Sequence, residues 1–202
     1  VFVIVEAAGW PIWFLIIASF IAVGIIAERL VSLRNKKIAP AGLFNKVVHE
    51  LKQRGVSNAM ISRLEEESPL GRIFAAGLKN IKSSPTVMKE SVEETGRAAA
   101  HELERYLTTL GTIASVSPLL GLFGTMVGMI EIFGVQNTTG NGPAALAHGI
   151  SIALYNTAFG LMVAIPSMIF YRHFRAKVAS LTIEMEQQSI KLIEIIHGAR
   201  RD

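Results

Sequence analysis

Hydrophobic and polar positions are sorted along this chain into long blocks. Residues 7–27, AAGWPIWFLIIASFIAVGIIA, form a run of 21 without a charge. A second uncharged run, 106–130, has 25 residues, and after Glu131 a third, 132–171, has 40. A helix crossing a bilayer needs about 20 apolar residues, so the first two runs each predict one span. The third run is too long for one. Its polar cluster Asn137-Thr138-Thr139-Gly140-Asn141-Gly142-Pro143 carries turn chemistry, and it leaves a third span over 147–171. Trp10 and Trp13 stand where amphipathic rings favour the membrane boundary, and Glu28, Arg29, Arg34, Lys36 and Lys37 close the first run. A secretory signal has its basic residues before the apolar run. Here they follow it, so the segment reads as a retained span.

The blocks between and after the spans have helical periodicity. Leu43, Phe44, Val47, Val48 and Leu51 recur at three- and four-residue spacing after Pro40, with Gly55 as a stop. A second helix is expected over Asn58–Glu67, stopped by Ser68-Pro69, and a third over 70–82. Ser84 is an N-cap with Pro85 at the first helical position. No turn signal except Gly96 follows before the second span, which predicts one continuous helix over 85–130. At about 1.5 Å per residue it would be nearly 70 Å long. After the third span, Tyr171, Phe174, Val178, Leu181, Met185, Gln188, Leu192 and Ile195 form a heptad seam, with Gly198 as its stop. That seam fits a helix packed on its own subunit, or a bundle shared between subunits.

Charge turns this pattern into a topology. All 20 Lys and Arg lie in two blocks, 14 in 29–105 and 6 in 172–201. The rest of the chain up to Tyr171 holds three acids, Glu6, Glu28 and Glu131. The positive-inside rule then places both basic blocks in the cytoplasm, with the N-terminus and the 131–146 turn outside. The expected organisation is a first span in 1–28, a cytoplasmic helical segment over 29–84 and a long helix with the second span over 85–130. An outer turn over 131–146, the third span over 147–171 and a cytoplasmic C-terminal helix over 172–202 complete it. The fold class is an all-α membrane protein with three transmembrane helices and long cytoplasmic helical extensions. The net charge of +4 is charge sorted by a membrane, not a nucleic-acid signature, and the absence of cysteine rules out a disulfide framework.

No catalytic constellation is present. His49, His101, His148, His173 and His197 are scattered, none at metal-ligand spacing, and no phosphate-binding glycine loop occurs. No enzyme activity, metal or cofactor is therefore expected. The second and third spans are instead rich in small and hydroxylated residues, while the first is bulky and apolar nearly all round. The first should therefore face lipid, and the other two should line an interior. Gly121, Gly124, Gly128, Gly149 and Gly160 are candidates for close helix packing, and Pro118 and Pro166 for kinks. Ser115, Thr125, Ser151, Asn156 and Thr157 are the candidate pore-lining polar residues. Hydroxyls in spans fit two roles: packing against backbone carbonyls, or bonding water or a partner in a lumen. They do not titrate near neutral pH, so any proton path needs an ionisable group from elsewhere.

The stretch Ser117-Pro118-Leu119-Leu120-Gly121-Leu122-Phe123-Gly124-Thr125-Met126-Val127-Gly128-Met129 resembles the second span of the ExbB/TolQ/MotA proton-channel family. Gly149-Ile150-Ser151, Ala153-Leu154, Thr157-Ala158, Gly160-Leu161 and Ala164-Ile165-Pro166 resemble its third, and the ExbB branch is the most similar. The resemblance implies a non-enzymatic subunit of a bacterial inner-membrane motor that works on the proton motive force. It implies a homo-oligomeric ring, usually a pentamer, around single-span ExbD-like helices that carry the titratable aspartate. It further implies a TonB-like transducer serving outer-membrane uptake, and pore-facing roles for Thr125 and Thr157. One position departs: where the family has a glutamate, five residues before the third-span threonine, this chain has Ile152. A TolQ-like or flagellar-type stator subunit, or a membrane scaffold without an ion path, are the alternatives.

Overall fold

The computed structural model describes residues 9–139 and 143–198, and among them every regular element is a helix. In chain order they are α1 (Ile12–Ser32), α2 (Asn35–Ile38), α3 (Leu43–Arg54), α4 (Asn58–Glu67), α5 (Pro69–Lys79), α6 (Pro85–Glu104), α7 (Leu107–Thr139) and α8 (Pro143–Ile196). Three helical stretches are long and apolar enough to cross a membrane. The chain divides into two compact units. One holds residues 1–29 and 106–173, the other 30–105 and 174–202.

The first unit contains the apolar spans. On α1, Trp13, Phe14, Ile17, Phe20, Ile21 and Val23 are exposed, while Ile12, Leu15 and Ala22 are buried. A helix with that much exposed hydrocarbon suits lipid as its solvent. On α8 the small-residue face is the covered one: Ala153, Asn156, Gly160, Ala164 and Ser167 are buried. Pro118 and Pro166 lie inside helices that continue past them.

In the second unit the helix starts follow their capping residues. Ser57 Oγ accepts from the Met60 amide at 3.2 Å, Ser68 Oγ from Gly71 at 3.0 Å and Ser84 Oγ from Val87 at 3.4 Å. Each bond satisfies an amide that the first helical turn leaves without a partner. Gly55 ends α3 at φ 68°, a conformation that suits glycine. Phe74, Leu70 and Leu78 of α5 and Met88 of α6 are fully covered, and Gly77 lets the Met88 and Val92 side chains approach its backbone. Phe174, Val178, Leu181, Met185 and Leu192 of α8 are buried in this unit. The heptad seam is thus occupied by its own chain. Ile183 and Ile190, offset from it, stay exposed. Arg72 grips Glu102 through two hydrogen bonds, and Arg63 meets Glu50 at 2.6 Å. These carboxylates hold both guanidinium groups above their ordinary pKa.

Several boundaries differ from expectation. The helix expected over 85–130 is two helices, α6 and α7, separated at Arg105 and Tyr106. Tyr106 has φ 64°, the one positive φ at a non-glycine among the described residues. Neither residue breaks helices by itself, so sequence carries no mark of the interruption. A contact from another element accompanies it: the Arg29 guanidinium lies 5.3 Å from the centre of the Tyr106 ring. Arg29 is only 4% exposed and also bonds Glu28 through Nε at 2.5 Å. A cation over an aromatic face contributes about 0.5–2 kcal/mol. That is comparable with the roughly 1–3 kcal/mol cost of such a backbone conformation.

The turn between the second and third apolar helices is shorter than the expected 131–146, because α7 runs to Thr139 and α8 begins at Pro143. Proline suits a first helical position, where its missing N–H costs nothing. Residues 140–142, the centre of that turn, lie outside the described residues, as do residues 1–8 of the first predicted segment. The first span begins at Ile12 and continues past Glu28 to Ser32. The helix expected over 70–82 ends at Lys79, and the short α2 was not expected.

Candidate functional site

The second and third apolar helices approach each other closely at two glycines. A Cβ placed on Gly121 would lie 2.7 Å from the Asn156 carbonyl oxygen and 3.0 Å from the Thr157 Cα. One placed on Gly160 would lie 2.6 Å from the Ser117 carbonyl oxygen and 3.1 Å from the Gly121 Cα. Real side chains do not tolerate such distances, so glycine on both helices is what lets the backbones meet. Gly124 leaves room for the Asn156 side chain, whose Cγ would lie 2.7 Å from a Cβ there. Gly128 faces Ala153, and Gly149 faces the Ile132 side chain.

This close approach brings two hydroxyls together. Thr125 Oγ1 and Thr157 Oγ1 are 2.5 Å apart, and both side chains are half-buried. Thr125 Oγ1 also lies 3.1 Å from the carbonyl oxygen of Gly121 and 3.0 Å from that of Ala153. Thr157 Oγ1 is 3.4 Å from the Gly121 carbonyl. Two hydroxyls have two protons between them. One can be donated from hydroxyl to hydroxyl and the other to a carbonyl. Reversing both reverses the direction of the chain without moving a heavy atom. A hydroxyl pair can therefore relay a proton but cannot store one, because neither group ionises near neutral pH.

The other sequence candidates lie apart from this pair in their exposure. Asn156 is 1% exposed, covered beside Gly124 between the two helices and not on an open face. Ser115 and Ser151 are exposed, and each bonds the carbonyl one turn back on its own helix, Gly111 at 2.8 Å and Ala147 at 3.0 Å. Ser117 is buried, and its Oγ has no hydrogen-bond partner among the described residues. The nearest acid along the second span, Glu131, is exposed and six positions beyond Thr125. The departure at Ile152 falls on a helical residue whose side-chain placement lies outside the described features. No group of three or more His, Cys, Asp or Glu suited to a metal occurs among the described residues.

The carbonyls of Gly121 and Ala153 were not among the sequence candidates. A backbone oxygen carries no residue signal. The spacing of Gly121 to Thr125 and of Ala153 to Thr157, one helical turn each, is the nearest hint. Tyr106 was missed for the same reason, since its conformation accompanies a contact with Arg29.

These features define a class: an all-helical membrane protein with three apolar helices, two of which cross on glycines around a charge-free hydroxyl pair. The family described as the MotA/TolQ/ExbB proton channel family matches residues 65–187. The chain belongs to that family. It is 32% identical over 163 residues to the biopolymer transport protein ExbB-like 3 of Synechocystis, covering 78% of this chain and 77% of that protein. It is 32% identical over 171 residues to the biopolymer transport protein exbB1 of Vibrio cholerae, covering 81% and 74%. It is 35% identical over 128 residues to the Tol-Pal system protein TolQ of Pseudomonas aeruginosa, covering 57% and 55%.

Proposed function

We propose that this chain is the ring-forming subunit of a bacterial inner-membrane proton channel. In this reading a homo-oligomer, such as a pentamer, surrounds an ExbD-like single-span partner and uses the proton motive force to energise a TonB-like transducer for outer-membrane transport. The observation that carries the reading is the Thr125–Thr157 hydroxyl pair, 2.5 Å apart in a charge-free helix crossing. The pair supplies a relay, and a carboxylate on the partner's helix supplies the group that takes up and releases the proton. Asn156, buried next to Gly124, shapes the crossing, while Ser115 and Ser151 offer exposed hydroxyls along the same helices. With Ile152 at the position where the resemblance calls for glutamate, the chain depends on that partner carboxylate alone.

Proton flux into liposomes tests this reading. Flux is expected only when the chain is reconstituted with a carboxylate-bearing single-span partner. Thr125→Val or Thr157→Val should sharply reduce it while leaving assembly intact, and Thr125→Ser should keep most of it. Equal flux with and without the partner, or full flux in the double Val variant, overturns the relay. A TolQ-like role is the second reading, favoured by the 35% identity to a TolQ over 128 residues. Complementation of siderophore uptake against complementation of outer-membrane integrity separates the two.

A further inference from the structure

The basic residues that follow α1 are not evenly matched by acids. Residues 29–54 hold seven Lys and Arg against one acid, Glu50, whereas residues 65–104 hold eight acids against five bases. Some of the seven are engaged. Arg29 bonds Glu28 and stacks on Tyr106, and Glu50 is taken by Arg63. Lys46 and Arg54 face a cleft that also holds Glu66 and Glu67. Arg34, Lys36 and Lys37 differ from all of these. They are exposed, and none forms an ion pair among the described residues.

The backbone that carries them is anchored. Leu33, Ile38 and Ala39, on either side of the three bases, are 4%, 2% and 4% exposed. The turn of helix α2 therefore pins its apolar residues into the second unit and presents its charges outward. Arg34 lies two residues and Lys37 five residues beyond the end of α1. Five residues reach at most about 17 Å, so chain connectivity keeps all three near the end of the first span. A leaflet with acidic lipids attracts basic groups over about a Debye length of its surface. Three such groups, held near a span by the chain and without an ion pair among the described residues, complement lipid phosphates in charge.

We propose that Arg34, Lys36 and Lys37 form a docking surface for the headgroups of anionic phospholipids in the leaflet at the charged end of α1. This surface is independent of the hydroxyl pair and of any ring. It ties the second unit to the membrane surface by lipid phosphates as well as by the chain itself.

The test uses the whole chain reconstituted in mixed vesicles, with spin-labelled phosphatidylglycerol and phosphatidylcholine as probes. The protein is expected to select phosphatidylglycerol, and raised salt should weaken the selection. Each Lys or Arg near an anionic surface strengthens association by about five-fold. The R34Q/K36Q/K37Q variant should therefore lose roughly ten- to a hundred-fold in relative lipid association. The charge-preserving R34K/K36R/K37R variant should retain it, and K46Q/R54Q/K82Q, which removes three exposed bases elsewhere, should leave it unchanged. At equal ionic strength, inorganic phosphate should displace no more lipid than chloride does. No selection by the wild type, equal losses in the two Gln variants, or displacement by phosphate or by an RNA oligonucleotide beyond that of chloride at equal ionic strength overturns the assignment.

Discussion

At Gly121 and Gly160 a single methyl group has nowhere to go, because a Cβ on either would enter the facing backbone. Gly121→Ala or Gly160→Ala should cost about 1–3 kcal/mol, the usual range for overpacking a tight contact. Thermal unfolding in detergent would show it as a lowered Tm. Gly24 is the matched control. A Cβ there meets nothing within 4 Å, so Gly24→Ala should be neutral or stabilise by up to about 1 kcal/mol. Ser117 gives a prediction of the opposite sign to most buried polar deletions. Its Oγ is covered and makes no hydrogen bond among the described residues, and a covered unmade bond costs about 1–3 kcal/mol. Ser117→Ala should leave Tm unchanged or raise it, and a clear fall would reveal a partner for the hydroxyl. The three-residue logic of Thr125, Thr157 and Gly121 was partly legible from sequence. Hydroxyls and glycines at helical spacing announce a crossing. Which hydroxyl faces which depends on how the two helices are rotated, and periodicity on one helix does not fix that.

Helix boundaries follow local chemistry wherever a local cap exists. Ser57, Ser68 and Ser84 start α4, α5 and α6, and Gly55 ends α3, as their side chains or φ demand. Ser68 is the most covered of the three caps, at 6% exposure. Ser68→Ala should therefore cost about 1–2 kcal/mol, readable as a Tm shift, and Ser84→Ala less, since its bond is longer. The break between α6 and α7 has no such local cause. Tyr106→Gly removes the penalty for positive φ but also the ring beneath Arg29. Its net effect on Tm should be small, within about 1 kcal/mol. Arg29→Gln keeps the tyrosine and loses the cation together with its ion pair to Glu28. It should destabilise more than Tyr106→Gly does, and the reverse order would show that the stack does not support the break.

For the whole molecule, charge sorting predicts a sidedness that the cysteine-free sequence makes easy to test. Ser83→Cys and Glu131→Cys each introduce the chain's sole thiol. In intact cells a membrane-impermeant maleimide should label Glu131→Cys and not Ser83→Cys, and the reverse pattern would invert the topology. The exposed pair Arg72–Glu102 spans α5 and α6 of the charged unit, yet exposed ion pairs contribute only about 0–1 kcal/mol. Glu102→Gln should accordingly shift Tm little, leaving buried apolar residues such as Phe74, Met88, Phe174 and Leu181 as the main source of that unit's stability.

By itself the sequence determined the class, the three apolar helices, the sidedness expected of them and most helix starts. Each of these rests on composition or on interactions within a turn or two of helix, which a linear pattern carries directly. The tertiary structure alone decided the pairing of Thr125 with Thr157, the burial of Asn156, the interruption at Tyr106 and the occupation of the heptad seam by the chain's own core. Each depends on how one helix is rotated against another distant in sequence. Rotation is set by close packing of glycines, rings and side chains across the contact, and no periodicity along a single helix encodes it.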